Sequence, residues 1–207
     1  MRTLLASTLL LTGLGAASAL QAGEGPWEVR FRAVQIKPAD KSDPIAALGI
    51  PADKITVSSK VIPEVDFTYH FTPNFAAELI LTYPQQHDVK VGGTFIGTFK
   101  HLPPTLTVQW HFLPGAAFNP YVGAGLNLTL LSAVKLAVPG VGSLDLNSSS
   151  IGAAVQAGAD IALAPQWYLN VDVKYVQIRS DVKLAGQKIS AVQVDPLLLG
   201  FGVGYRF

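Results

Sequence analysis

The last eleven residues of the chain show a strict alternation that few folds accommodate. Large apolar side chains occupy every second position from Leu197 to Phe207, and three of the positions between them are glycine. A period of two is the side-chain period of a β-strand, and an unbroken apolar face suits a strand that contacts hydrocarbon. Past the N-terminus the sequence has no apolar run of about 18 residues, the length that a spanning helix needs. The pattern therefore predicts membrane strands.

The composition excludes several classes of protein. The chain has 207 residues, of which 49% are hydrophobic and 14% charged, and it contains no cysteine. A disulfide scaffold, a thiolate zinc site and a cysteine nucleophile are therefore excluded. The formal net charge is only +1, so no global basic surface favours nucleic-acid binding.

The first residues have the pattern of a cleaved secretory signal. Arg2 supplies positive charge, an apolar segment runs from Leu4 to Leu14, and Ala17-Ser18-Ala19 has the small-x-small form that signal peptidase recognises. Residues 1–19 are predicted to be the signal, with cleavage after Ala22 as the second choice, which leaves 23–207 as one mature domain. The apolar segment is too short for a membrane anchor.

The same alternation recurs upstream and predicts eight strands in all. The predicted strands span residues 27–33, 64–71, 75–83, 105–112, 120–130, 151–163, 167–178 and 197–207. Short connections at 72–74, 113–119 and 164–166 alternate with long ones at 38–54, 84–104, 131–149 and 179–191, so all long connections fall at one end. An even number of strands with this layout is typical of a bacterial outer-membrane barrel with extracellular loops and periplasmic termini. A soluble β-sandwich also alternates, but the glycine-rich second face here favours an enclosed lumen over a solvated surface.

Aromatic residues crowd the predicted periplasmic ends of the strands and indicate an interfacial belt. They are Trp27, Tyr69, Phe71, Phe75, Trp110, Phe112, Tyr121, Trp167, Tyr205 and Phe207. The terminal Phe207, with Tyr205 on the same face, also predicts recognition by the machinery that inserts outer-membrane barrels.

Several segments resemble the OmpW family of eight-stranded outer-membrane proteins. They are Ile62-Pro63-Glu64, Tyr83-Pro84 with His87 following, His101-Leu102-Pro103-Pro104-Thr105-Leu106, Pro120-Tyr121-Val122-Gly123-Ala124-Gly125-Leu126-Asn127, and Asp195-Pro196 leading to Gly204-Tyr205-Arg206-Phe207. The resemblance spans nearly the whole mature chain. It implies a narrow barrel that passes small hydrophobic compounds across the outer membrane.

The residues predicted to point inward divide by height. Toward the periplasm they form a set of acids and bases that is expected to plug the lumen, because an eight-stranded barrel is just wide enough to be filled by side chains. This predicted plug consists of Glu28, Arg30, Asp66, His70, Glu78, His111, Asp160, Asp172 and Arg206.

Toward the outside the inward residues are mostly apolar and predict a substrate-binding pocket for small hydrophobic solutes. The predicted pocket residues are Val34, Ile36, Ile62, Ile80, Thr107, Asn127, Val176, Ile178 and Leu198. Because charges close the lumen below, a solute is expected to leave sideways into the bilayer. Proline removes a ladder hydrogen bond, so Pro84, Pro103-Pro104 and Pro196 mark candidate openings.

Two other classes of function stay open. A filled barrel that transports nothing would be a structural or receptor protein. A lipid-modifying enzyme would need a serine activated by a histidine, and His87, His101 and Ser58 lie in or beside the long connections, although no local motif links them. No catalytic residue, metal site or cofactor is predicted.

The long connections and strand rims carry more basic than acidic residues, which predicts contact with the anionic headgroups of outer-membrane lipid and lipopolysaccharide. The basic residues are Lys37, Lys41, Lys54, Lys60, Lys90, Lys100, Lys135, Arg179, Lys183 and Lys188.

Overall fold

The computed structural model describes residues 25–207, so the predicted signal segment lies outside the described residues. Most of the described chain forms one sheet of fifteen strands. The strands are β1 (Trp27–Lys37), β2 (Lys41–Ser42), β3 (Ile55–Val57), β4 (Lys60–His70), β5 (Phe75–Leu81), β6 (Gln85–Val91), β7 (Thr94–Leu102), β8 (Thr105–His111), β9 (Phe118–Val138), β10 (Gly142–Leu146), β11 (Ser149–Ala162), β12 (Trp167–Val176), β13 (Arg179–Leu184), β14 (Gln187–Gln193) and β15 (Leu197–Arg206). A single 3-10 turn, Ala46–Leu48, follows β2. Among the described residues no helix is long and apolar enough to cross a membrane.

Eight of these strands close into an antiparallel barrel, as the alternation predicts. Around the barrel the order is β1, β4, β5, β8, β9, β11, β12 and β15, and β15 pairs with β1 to complete the circle. The closing ladder runs from Glu28 opposite Arg206 to Lys37 opposite Leu197. Closure removes the exposed edges that an open sheet would leave unpaired. We call the end at which Trp27 and Phe207 lie the lower end, and the opposite end the upper end.

The long predicted connections are largely strands and not irregular loops. β6 and β7 form a hairpin, and β7 pairs with the upper part of β9, which continues to Val138. On the other side of β9 the strands pair in the order β9, β10, β13, β14 and β2, so β2 lies at the far edge. Together with β3, these segments form an upper ring of strands that extends the barrel beyond its eight-stranded part. The ring encloses the largest apolar cluster of the described chain, with Ile45, Phe99, Leu136 and Val182 among its members.

The barrel strands alternate between outward and inward side chains. Outward positions are apolar and exposed, such as Phe31 and Phe201 at 58% and Ile151 at 76%. Inward positions below the upper ring are buried and mostly polar. Most of the predicted belt residues are exposed near the lower end. There the ring of Tyr69 makes edge-to-face contacts with the rings of Trp27 and Phe71. Tyr121 is the exception, because it lies inside the barrel at 1% exposure, and its assignment to the belt was wrong.

Glycines on the inward face of β15 make room for large side chains opposite them. A Cβ atom at Gly204 would lie 2.2 Å from the buried ring of Tyr168, whereas a Cβ atom at Gly200 would approach no neighbour closer than 3.5 Å. We expect Gly204→Ala to destabilise the barrel by about 1–3 kcal/mol, because overpacking forces the ring and backbone to move. Gly200→Ala is the matched control in the same strand. Urea midpoints of the refolded chains measure both, and equal midpoints would contradict the expected crowding at Gly204.

Candidate functional site

Arg30 on β1 lies at the centre of the lower lumen and is fully buried. Its Nη1 atom donates to Glu78 Oε1 at 2.9 Å, and its Nη2 atom lies 3.2 Å from Asp160 Oδ2. Glu28 completes the carboxylates that contact this guanidinium. These partners come from β1, β5 and β11, so one side chain links distant parts of the barrel wall.

A second layer of charges lies directly above Arg30. Arg32 Nη2 is 2.7 Å from both Glu64 Oε1 and Asp66 Oδ2, and Arg32 Nη1 donates to Asn170 Oδ1 at 3.1 Å. Lys174 from β12 lies 3.8 Å from Glu64. Arg32, Glu64 and Lys174 are buried members of the network that the sequence-based plug omits, although each shares the inward face with a predicted member.

Neutral side chains fill the space between the charges. Glu78 Oε2 accepts hydrogen bonds from Thr107 Oγ1 at 3.1 Å and from the Nε2 atoms of Gln109 and Gln156, each at 2.8 Å. Thr107, expected in the apolar pocket, therefore lies one layer lower, inside the polar network. Tyr121 donates to Asp172 Oδ2 at 3.2 Å.

The remaining predicted plug residues lie near the lower mouth. His70 Nε2 is 3.0 Å from Glu28 Oε2, and the His111 ring packs against the His70 ring with centroids 5.1 Å apart. Arg206 donates from Nε to the carbonyl of Gly25 at 2.9 Å, so it lies at the mouth and not in the central ion pairs. The structure thus places all nine predicted plug residues in the lower half of the lumen.

A cavity opens directly above the polar network, with about 460 Å³ of free space including its mouth. Every predicted pocket residue except Thr107 lines it. The lining residues in that set are Val34, Ile36, Ile62, Ile80, Asn127, Val176, Ile178 and Leu198. Asn127 is the polar member, and its Nδ2 atom donates to Thr105 Oγ1 at 2.8 Å, so its amide is already engaged. We call this space the lower cavity.

A second cavity, missed by the sequence analysis, lies inside the upper ring. It has about 630 Å³ of free space including its mouth, and its lining is apolar apart from His101 and Ser180. Among its lining residues are Ile45 beside the 3-10 turn, Phe99 on β7 and Val192 on β14. We call this space the upper cavity. Ile178 and His101 line both cavities, so the two spaces meet at these side chains.

The barrel wall is interrupted beside the lower cavity. The β4–β5 ladder ends at the pair Val65–Leu81, and the β3–β6 ladder begins at Val57–Val89. Between them, residues 58–64 face residues 82–88. Ser58 N donates to Asp88 O at 3.0 Å at the top of this stretch, and Thr82 Oγ1 donates to Pro63 O at 2.8 Å near its base. We call this stretch the wall gap.

The prolines predicted to mark openings differ in their surroundings. Pro84 lies within the wall gap. At the other two sites neighbouring strands bridge the break, because Leu128 N donates to Pro104 O at 3.0 Å and Val176 N donates to Pro196 O at 3.2 Å. A break in the wall therefore coincides with only one of the three proline sites.

His101 lies where the cavities meet, and His87, which lines neither cavity, packs against it. The rings of His87 and His101 stack with centroids 4.7 Å apart and planes inclined by 12°. Burial lowers the pKa of His101 to about 3, and burial likewise lowers the pKa of His87, so both rings are neutral at pH 7. His87 Nδ1 lies 2.7 Å from the carbonyl oxygen of Ser58 but 3.5 Å from its hydroxyl. That nitrogen donates to the carbonyl, so it is not placed as a base for the serine.

Within residues 25–207, no group of three or more His, Asp or Glu side chains is arranged to hold a metal ion. The upper charges pair partly with one another, since Lys188 Nζ lies 2.6 Å from Asp181 Oδ1. This pair lowers the pKa of Asp181 and raises the pKa of Lys188. The contact with lipopolysaccharide stays a prediction.

Known proteins are similar to this chain in both architecture and sequence. A model of the OmpW family matches residues 23–207. The chain belongs to the OmpW family. Outer membrane protein W of Escherichia coli is 33% identical to this OmpW-family chain over 216 aligned residues, which cover all of both proteins. The crystal structure of OprG from Pseudomonas aeruginosa is 29% identical, covers 91% of this chain and 98% of its own, and superposes with a TM-score of 0.76.

A third OmpW-family relative has a more specific name. The "Dibenzothiophene metabolism operon protein PahQ" of Pseudomonas aeruginosa is 26% identical over 206 residues, which cover 92% of this chain and 93% of the relative. These relationships confirm the resemblance found in the sequence and identify the chain as an outer-membrane barrel of the OmpW family.

Proposed function

We propose that this barrel admits small apolar molecules at its upper end and releases them sideways into the membrane through the wall gap. In this proposal the upper end faces the outside and the termini face the periplasm. The observation that carries the proposal is the pair of mainly apolar cavities that meet at Ile178 above a lumen filled with ion pairs, of which Glu64 and Lys174 also line the lower cavity. An apolar solute in these cavities cannot continue downward without displacing buried charges.

The energetics suit transient binding. A solute that buries about 200 Å² of apolar surface gains about 5 kcal/mol, which corresponds to a dissociation constant of hundreds of micromolar. Hydrocarbon beyond the wall is as apolar as the cavity, so sideways exit imposes no penalty for rehydration. Weak binding with an apolar exit favours passage over storage.

The name of PahQ adds support for this class of solute. Dibenzothiophene is an apolar fused aromatic, and a protein named for an operon of its metabolism shares this fold family. The wall gap supports the route, because it lies beside Ile62, Ile80 and Thr82, which line the lower cavity. The polar network supports the direction, because it fills the lumen below.

A reversible clamp across the wall gap tests the proposal. The chain has no cysteine, so Pro63→Cys with Tyr83→Cys introduces the only two thiols, both at exposed positions on opposite sides of the gap. We expect a short reducible bis-maleimide linker between the two thiols to lower the accumulation of a labelled apolar aromatic compound in expressing cells by about tenfold. The reason is that most of the solute leaves by this route in the proposal. Reductant should restore it, and binding to the purified barrel should persist.

The matched control places the same linker where the strands already pair. Val65→Cys with Leu81→Cys joins residues in register on β4 and β5, just below the gap. This linker should leave accumulation unchanged. Equal loss with both linkers, or no loss with the Pro63–Tyr83 linker, would rule out exit through the gap.

A further inference from the structure

Three polar side chains form a cluster next to the junction of the two cavities, and two of them, Gln85 and His87, line neither cavity. Gln85 and His87 lie two residues apart on the inward face of β6, and His101 on β7 is the register partner of Gln85. All three are at most 5% exposed. The His101 ring lines both cavities and stacks on His87. This cluster is outside the charged network of the lower lumen.

The hydrogen bonds of His87 fix which nitrogen carries its proton. The Ser58 carbonyl oxygen only accepts, so at 2.7 Å the Nδ1 atom must be the donor. In the neutral ring Nε2 then carries a lone pair and acts only as an acceptor. Nε2 is buried, and no donor among the described residues reaches it.

Gln85 repeats this arrangement with its side-chain amide. Its Nε2 atom donates to the carbonyl of Tyr83 at 3.1 Å, which fixes the orientation of the amide. Its Oε1 atom is buried and has no hydrogen-bond donor among the described residues. A buried acceptor without a donor costs free energy, and two of them lie in this cluster. Both lack the same chemical partner, a hydrogen-bond donor.

We infer that the cluster of Gln85, His87 and His101 binds the hydroxyl group of apolar molecules that carry one, such as phenols and long-chain alcohols. The hydroxyl hydrogen is donated to His87 Nε2 or to Gln85 Oε1 after a small shift of the His101 ring, while the apolar body occupies the two cavities. This inference rests on the proposed function, because it names the solute that the cavities favour. A hydrocarbon of equal size would leave both acceptors without a donor.

The same geometry disfavours carboxylates as ligands. A carboxylate presents only acceptor oxygens, which would face two further acceptors. Both imidazoles are neutral because burial lowers their pKa, so they supply no positive charge. Lys60, whose charge acts on both rings, is half-buried and lies on β4 across the wall gap. The cluster is therefore built for a neutral donor.

Two aromatic probes of nearly equal shape test the inference. Naphthol carries a hydroxyl where methylnaphthalene carries a methyl group. Both are titrated into the refolded full barrel in micelles, with affinities corrected for partition into empty micelles. We expect naphthol to bind about five- to tenfold more tightly, the ratio that one additional satisfied buried hydrogen bond supplies. The ¹⁵N resonance of His87 Nε2 should move with naphthol only.

His87→Phe removes the acceptor and keeps a flat ring against Phe99 and His101. We expect this variant to reduce the preference for naphthol, because only Gln85 Oε1 remains as an acceptor, and to bind methylnaphthalene like the parent. Gln85→Met, which retains length without the carbonyl, provides a second test if His87→Phe does not refold. Gln86→Met, which makes the same change at the exposed position between them on β6, is the matched control and should keep the preference.

The outcomes separate the two proposals. Equal corrected affinities in the parent would overturn the hydroxyl site and leave the apolar pathway standing. So would a titration in which naphthol moves neither the His87 Nε2 resonance nor the Gln85 side-chain amide resonance. If neither probe binds saturably, the proposed function itself fails. A preference for naphthol that survives in the double variant His87→Phe/Gln85→Met would place the acceptor elsewhere and would also overturn the inference.

Discussion

Ile178→Asp is expected to weaken binding of small apolar compounds by roughly a hundredfold, because a carboxyl group that enters an apolar site must be buried as a charge or protonated at a cost. Ile178 is 4% exposed and lines both cavities, so a single substitution affects the whole apolar path. Tryptophan fluorescence and NMR titration of the refolded barrel in micelles measure the effect. Polar analogues of the same compounds correct for partition into detergent.

Gln177→Glu is the matched control for this substitution. It places a carboxylate one position away, on a side chain that lies outside both cavities and whose Oε1 atom accepts a long hydrogen bond from Ala153 N at 3.4 Å. Binding should survive in Gln177→Glu. Unchanged binding in Ile178→Asp would mean that the cavities are inert packing, which favours a structural or receptor barrel.

Arg30→Met is expected to reduce the free energy of unfolding by about 3–5 kcal/mol, because it leaves buried carboxylates without the cation that they share. Glu28, Glu78 and Asp160 all contact this guanidinium, and all three are buried. Met keeps most of the side-chain volume of Arg. The loss of stability therefore comes mainly from the missing charge and hydrogen bonds and not from a cavity. The midpoint of urea unfolding, followed by the gel mobility of the refolded chain, is the measurement.

Lys188→Met is the control for the loss of a surface charge. Lys188 pairs with Asp181 at an exposed position, and exposed ion pairs contribute little to stability. Its unfolding midpoint should match that of the parent chain. If Arg30→Met also matched the parent, the ion pairs of the lower lumen would have to be dispensable for stability.

The eight barrel strands could be predicted from sequence because each strand must keep one apolar face toward hydrocarbon along its whole length. That constraint fixes parity, and parity placed Glu28, Arg30 and Glu78 inside the lumen together. Height along a strand is less constrained, since a tilt changes the level of a residue without changing its face. Thr107 was therefore assigned to the apolar pocket although it bonds to Glu78.

Tyr121 shows a signal that was present but not used. It shares its parity on β9 with Asn127, which was predicted to point inward and is buried, and with Thr129, which is buried as well. Consistent parity along β9 would have placed the Tyr121 ring in the lumen. The prediction relied instead on the tendency of aromatic residues to form a belt. That tendency is a weaker constraint than strand geometry.

The upper ring was missed because its strands carry no uniform apolar face. Gln85 and His87 alternate inward with Val89 on β6, so the inner face mixes polar and apolar residues. Its pairings also join distant segments, such as Val192 on β14 with Ser42 on β2. Local periodicity contains no information about such contacts, and the upper cavity depends on them.

The ion pairs around Arg30 have a consequence for how the protein is assembled. Arg30 and Asp160 are 130 positions apart in the chain, and Arg30 and Glu78 are 48 apart. A partial barrel that held only the first strands would leave Arg30 without Asp160 and would open its inward-facing charges to lipid, which is costly in hydrocarbon. Hairpins therefore cannot enter the bilayer one after another at low cost. The chain must bring its late strands to its early ones before or during membrane entry, so biogenesis of this barrel is concerted.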